Sequence, residues 1–193
     1  STVAKGVNPT ELAYFLNVCK TIELNPFNKE VWCYKDNVGN LIIFTGRDGL
    51  LSKAQKNPLF AGIRSAEVRV NDHFEIDIAH AEIKHTHSGK DRGELIGAYS
   101  IVFRSNGEPT LEWVEFSRYN RGNSVWKKFP EDMIKKVAES KALKKAFGIS
   151  GVQIEYDWET KNGRAIAKPA DAVEVDEVEA RALDLINAAN SAV

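Results

Sequence analysis

The chain has 193 residues, 43% apolar and 27% charged, which fits one globular domain with a tail, or two small ones. No apolar run reaches the roughly eighteen residues of a membrane span, and nothing at the start reads as a secretory signal. The net charge of −1 conceals a split, because residues 1–150 hold 22 basic and 18 acidic side chains and residues 151–193 hold four and nine; a basic body with an acidic tail is one pattern of polyanion binders.

In chain order, residues 8–24 are expected to form a helix. Asn8 can cap it, Pro9 suits its first position, and Glu11 stands where a capping box needs a carboxylate. Leu12, Phe15, Leu16, Cys19 and Ile22 recur at helical spacing, and Asn25-Pro26 ends the run. Residues 30–35 and 41–45 follow as strands, rich in Val31, Trp32, Tyr34, Ile42, Ile43 and Phe44. Asn37-Val38-Gly39-Asn40 joins them as a hairpin turn. Gly46-Arg47-Asp48-Gly49 is a second break, and Asp48 is expected to cap a helix over 49–57 that Pro58 stops.

Residues 62–117 read as an antiparallel meander of four or five strands. Ala66, Val68 and Val70 alternate with charged residues, as do Phe74, Ile76 and Ile78, and the longest segments are 95–103 and 110–116. Asn71-Asp72, Ser88–Gly93 and Ser105–Pro109 are turn-rich. Residues 117–125 are expected to be a polar, basic loop. A helix over Pro130–Phe147, stopped by Gly148, follows. Residues 157–169 have no clear pattern, and 170–187 are an acidic, alanine-rich helix or disordered tail. The sum is an α+β fold, with a core over 1–156 and a linker and acidic tail over 157–193.

Several chemistries lack support. Ser88-Gly89-Lys90-Asp91 misses the first glycine and the hydroxyl residue of a phosphate loop, and no dinucleotide-binding glycine pattern occurs. Cys19 and Cys33 stand far apart and indicate neither a disulfide framework nor a zinc ribbon. His80, His85 and His87 read as a solvated strand end rather than a metal site. Asp157 and Glu159-Thr160-Lys161 resemble part of a metal-dependent nuclease site, but a solvated charge run is the simpler reading. No cofactor, metal or catalytic residue is expected.

The feature that stands out is the last helix. On a wheel at about 100° per residue, with Met133 at zero, Val137 falls near ~40° and Ile134 near ~100°. Lys144, Lys141 and Lys145 fall near ~20°, ~80° and ~120° on that same stripe, while Glu139, Asp132 and Lys135 fall on the far side. A lysine head on a core-facing stripe needs water or an anion. Either the C-terminal half leaves the core, where lysines complement the helix dipole, or the stripe passes into a groove that holds phosphates. Trp126-Lys127-Lys128 lies just before the helix, and Arg118 and Arg121 lie in the preceding loop. Basic residues interleaved with an aromatic suit single-stranded nucleic acid, with rings stacking on bases, although a tryptophan such as Trp126 taken alone is more often core than a stacking platform. Arg47, at the break after the hairpin, completes the candidate DNA-binding set.

Leu24-Asn25-Pro26-Phe27-Asn28-Lys29-Glu30-Val31-Trp32, Asp48-Gly49, Glu112-Trp113, and Trp126, Pro130, Met133 with Ala146-Phe147-Gly148 together resemble the phage lambda Bet (Redβ) family of RecT-like annealing proteins. The resemblance runs from about Lys5 to Gly151, with order and rough spacing kept. It implies an ATP-independent protein without covalent chemistry that binds single-stranded DNA and pairs it with a complementary strand. It also implies a homo-oligomer, ring or helical filament, with DNA in a basic groove. The implied setting is the cytoplasm of a bacterial host, phage or prophage encoded, beside a phage exonuclease and the host single-strand binding protein. The family's groove residues map onto Lys5, Lys29, Arg118 and Lys144; Lys141 and Lys145 rest on the wheel alone.

There are departures. Leu50 stands where the family has a tryptophan, and Val137 and Glu131 stand where the lambda member of the family is basic. The start at Ser1, close to the core, implies a missing or short N-terminal segment. The tail is shorter than the helical C-terminal domain that recruits partners, which leaves a truncated chain or a compact member. Two rivals stay open: a single-strand binding module that protects without annealing, and the nuclease reading of Asp157 and Glu159.

Overall fold

The computed structural model describes residues 3–36, 38–150 and 152–154. A short strand, β1 (Ala4–Lys5), precedes helix α1 (Pro9–Ile22). Asn8 Oδ1 accepts the Glu11 amide at 2.9 Å and Glu11 Oε2 accepts the Asn8 amide at 2.8 Å, so the expected capping box is present. The helix ends at Glu23 in the left-handed region, before Asn25-Pro26. Asn25 instead caps a 3-10 turn, Pro26–Asn28, which leaves Phe27 exposed.

Strands β2 (Val31–Lys35) and β3 (Leu41–Thr45) form the expected antiparallel hairpin. Asp36 organises its turn by accepting the amides of Val38 and Asn40. β1 joins β2 in parallel, and β9 (Gln153–Ile154) joins β3 in parallel, so both chain ends of the described region close onto one four-stranded sheet.

Helix α2 (Arg47–Lys56) starts two residues before the expected position. Gly46, not Asp48, is its N-cap, and Asp48 lies inside the first turn, where its charge complements the dipole. The early start follows from Thr45, whose buried hydroxyl donates to the Glu30 carbonyl at 2.6 Å and anchors the strand end. Close packing there also demands Gly49. A Cβ on it would lie 2.1 Å from the Glu30 carbonyl oxygen and 2.3 Å from Thr45 Oγ1.

Five strands occupy the middle of the chain, as expected, but they are not one meander. β4 (Phe60–Arg69), β7 (Leu95–Arg104) and β8 (Gly107–Glu115) form an antiparallel sheet in the order β4-β7-β8. β5 (His73–Asp77) and β6 (Glu82–Thr86) form a separate two-stranded ribbon. The ribbon packs across the sheet through Phe74, which stacks on Tyr99 and meets Trp113 at 5.0 Å between ring centroids. Arg92 fastens its base, binding Asp72 at the start of the ribbon and Glu67 on β4. An alternating pattern reports that a segment is extended; it does not report which neighbour it pairs with.

The segment 117–125 is likewise not a plain loop, since α3 (Phe116–Tyr119) and α4 (Ser124–Lys128) occupy most of it. Helix α5 (Pro130–Phe147) then lies on the face of the β4-β7-β8 sheet that carries Ala98, Val102 and Val114. Its expected bounds hold. Gly148 terminates it in the left-handed region, its amide bonded to the Lys144 carbonyl.

The core is divided in two. One cluster gathers Phe15, Leu50, Val102, Ala142, Leu143 and Ile154; the other gathers Ala98, Val114, Trp126, Ile134, Val137 and Ala138. Between them the register places Ser65, Ser100 and Glu112 side by side on β4, β7 and β8. This polar row crosses the sheet beneath α5. Ser65 donates to Glu139 and Glu112 accepts from Lys145, so its two ends are bonded to the helix.

Candidate nucleic-acid interface

The divided core explains the lysines on the helical stripe. In the first half of α5 the buried residues are Ile134, Val137 and Ala138, centred near ~90° on the wheel. In the second half they are Ser140, near ~340°, and the apolar Ala142, Leu143 and Ala146, centred near ~230°. The helix does not leave the core; it changes the face it buries as it crosses the polar row. Lys141, Lys144 and Lys145 therefore continue the first half's apolar stripe on a face that the second half leaves open. Glu139 and Lys135, expected on the solvent side, point toward β4 instead, against Ser65 and Glu67.

Two hollows lie along this open face. The first, about 310 Å³, is lined by Arg47, Arg121, Asn123, Trp126, Lys136 and Ser140, among others. The second, about 570 Å³, is lined by Glu112, Tyr119, Lys141, Lys144, Lys145 and Gly148, with Ile149 and Ser150. Ile154 of β9 borders both, so the hollows adjoin along α5 as a two-part channel. Six cations line it: Arg47, Arg121, Lys136, Lys141, Lys144 and Lys145.

These cations differ in how they are held. Arg47 Nε lies 3.0 Å from Asp48 and 3.4 Å from Glu139. Lys145 Nζ donates to Glu112 Oε1 at 2.9 Å. Lys141 Nζ lies 3.9 Å from Glu112 Oε2, donates to the Tyr119 hydroxyl at 3.2 Å and sits 5.7 Å from that ring's centroid. Lys144 is half-buried and Lys136 exposed, and neither makes an ion pair among the described residues.

Of the expected DNA-binding residues, the channel brings together Arg47, Arg121, Lys141, Lys144 and Lys145 as cations. Trp126 is a correction. Its ring is 3% exposed and packs near Phe116 in the second core cluster, so it forms channel wall and not a stacking platform. Asn123 caps α4 by accepting the Trp126 amide at 3.1 Å, which aims the indole inward. Lys127 and Lys128 are exposed on α4 outside the channel lining, with Lys128 over Phe129. Arg118 is exposed and pairs with Glu115 at 2.7 Å. Lys29 is exposed at the end of the 3-10 turn and lines neither hollow. Lys5 belongs to β1. Sequence reasoning missed Lys136; it shares an i, i+4, i+8 ridge with Ser140 and Lys144, which is the signal that could have found it.

The other candidates resolve differently. Asp157, Glu159 and the tail lie outside the described residues. Among the described residues, no group of three or more His, Cys, Asp or Glu side chains is arranged to hold a metal. His85 is not at a solvated strand end: its Nε2 lies 3.0 Å from Asp72 Oδ2 and its Nδ1 3.3 Å from the Tyr99 hydroxyl. Cys19 and Cys33 are free and buried, and burial pushes both thiols up to about 11. No described helix is long and apolar enough to cross a membrane.

The RecT family model matches residues 1–169. No curated protein matches the chain.

Proposed function

The chain belongs to the RecT family, whose members anneal single-stranded DNA in recombination, and from that premise we propose that its DNA-binding site is the basic channel along α5. The match carries the RecT-like group as a whole and does not single out the lambda Bet branch. The observation that carries the assignment is the face change of α5. It puts Lys141, Lys144 and Lys145 on one open stripe, with Arg47, Arg121 and Lys136 lining the neighbouring hollow, and among the described residues these six cations meet three carboxylates, Asp48, Glu112 and Glu139.

The proposed mechanism is positioning. Cations spaced along a helix neutralise successive phosphates and hold one strand extended. A second strand pairs with the exposed base edges, and correct pairing supplies the driving free energy. No step needs a nucleotide or a covalent intermediate. Six cations form a modest footprint for one subunit, so tight binding is proposed to need several subunits side by side, as a ring or filament. Phage origin, cytoplasmic location, an exonuclease and a host single-strand binding protein belong to the same proposal, on the family relationship alone.

The test is pairing of two complementary labelled oligonucleotides in EDTA without ATP. Pairing well above the spontaneous rate, rising cooperatively with protein concentration, is the expected result. Protein that binds the oligonucleotides but leaves their pairing at the spontaneous rate would reduce the function to strand binding.

A further inference from the structure

The α5 channel contains one carboxylate that its proposed ligand would not choose. Glu112 sits at the edge of the second hollow, half-buried on β8, at the end of the polar row formed with Ser65 and Ser100. Its two oxygens face two different lysines, Lys145 at 2.9 Å and Lys141 at 3.9 Å. The register leaves it no choice of face: Val114, two residues on, is core, and Glu112 shares that side of the sheet with α5. A carboxylate whose oxygens each meet a lysine occupies the place that two phosphate oxygens would take.

We propose that Glu112 is an intramolecular stand-in for a DNA phosphate. In the free protein it keeps Lys141 and Lys145 in the channel and keeps that end of the channel from holding three uncompensated ammonium groups. When a strand enters, the lysines turn to phosphate, and Glu112 stays behind as one negative charge against the backbone. It thereby weakens the grip on the strand and makes a bound strand easier to exchange. Lys144, which has no such partner among the described residues, is the first contact a phosphate meets. This inference rests on the assignment of the channel as the DNA site.

The test is Glu112→Gln in the full chain, which keeps a hydrogen-bond acceptor for Lys145 and removes the charge. Binding of a labelled oligo-dT is followed across a salt series. The expected result is binding about fivefold tighter near 0.1 M salt, with a log affinity against log salt slope steeper by about 0.7 per bound subunit, the value for one more net charge neutralised on a single strand. Weaker binding, or an unchanged slope, would overturn the proposal and leave Glu112 as a scaffold for the two lysines.

A second measurement needs no variant. Amine-reactive labelling of the parent should modify Lys144 ahead of Lys141, which is half-buried like it but held by Glu112 and Tyr119, and bound oligo-dT should protect Lys141, Lys144 and Lys145. Lys141 labelling as fast as Lys144 in free protein, or Lys141 and Lys145 unprotected by DNA, would count against the stand-in. A parent that binds no oligonucleotide would sink the DNA site itself together with Glu112's role in it. A parent that binds, with a Glu112→Gln variant that gains nothing, sinks only the role of Glu112.

Discussion

Two clusters of charge lie along α5, and they are built on opposite plans. Near the N-terminal half of the helix, Glu67, Asp72, Glu131 and Asp132 face Arg69, Arg92 and Lys135, so every cation there meets a carboxylate. Arg92 reaches both Asp72 oxygens and also Glu67, and His85 closes the far side of Asp72. The Arg92 guanidinium, with the Arg69 amide and His85, holds the Asp72 carboxyl well below the usual carboxylate range, and Asp72 in turn raises Arg92. Near the C-terminal half, a single Glu112 faces Lys141 and Lys145, with Lys144 beside them. A set of charges that satisfies itself fixes structure, here the base of the β5-β6 ribbon. A set left with surplus cation is open to an outside anion.

The sharpest way to break this contrast is Arg92→Ala. It takes the guanidinium from the Asp72 carboxylate, whose side chain is fully buried and keeps only the Arg69 amide and His85, and breaking a buried pair in this way costs about 3–5 kcal/mol. Urea unfolding should register that loss, while the salt slope of DNA binding by the protein that remains folded keeps its parental value. A loss below about 1 kcal/mol, the scale of an exposed ion pair, would mean that the balanced cluster is ornamental.

A smaller effect tests whether charge is what stabilises the first cluster. A carboxyl whose native pKa is lowered contributes stability that is fully present above its unfolded value, near ~4 for Asp. That contribution is lost as pH falls below ~4 toward the depressed native value. Asp72→Asn should therefore be less stable than the parent by about 2 kcal/mol at pH 7, and the gap should close as pH falls below ~4. A gap undiminished at low pH would assign the effect to packing.

The smallest effect on the fold, and the clearest on function, belongs to Lys144→Ala. With no ion pair among the described residues to lose, it should melt within a few degrees of the parent. Its affinity for single strands should fall about fivefold near 0.1 M salt, and the salt slope should shrink by about 0.7 per bound subunit. The loss should be alike for every sequence, because phosphate contacts carry no base information. Lys90→Ala, an exposed lysine in the β6-β7 loop, is the control. Equal losses from both variants would place the DNA somewhere other than α5. Lys135→Ala belongs with the first cluster, since Lys135 bridges Glu67 and Asp132, and should cost stability rather than salt dependence.

Local chemistry made much of the architecture legible. The Asn8–Glu11 capping box, the β2-β3 hairpin, the span of α5 and its glycine stop all depend on residues within a few positions of one another, so their sequence carries the signal. The α+β class followed from those elements, and Leu24–Trp32 with the later motifs was specific enough to point to the RecT-like group. Long-range pairing was not legible in the same way. Nothing local told β4 to pair with β7 across the whole β5-β6 excursion, and the Arg92 clamp that fastens this arrangement joins residues about twenty positions apart.

The sequence by itself determined that Lys141, Lys144 and Lys145 share one stripe of a helix, because helical periodicity depends only on spacing. Whether that stripe was buried, solvated or a channel wall was decided by the tertiary structure alone. The register that lines up Ser65, Ser100 and Glu112 splits the core, and the split turns a different face of α5 inward in each half. The same dependence explains Trp126, whose basic neighbours suggested a surface and whose indole the packing of α4 against α5 drew inside. Periodicity is a property of one segment; burial is a property of what that segment meets.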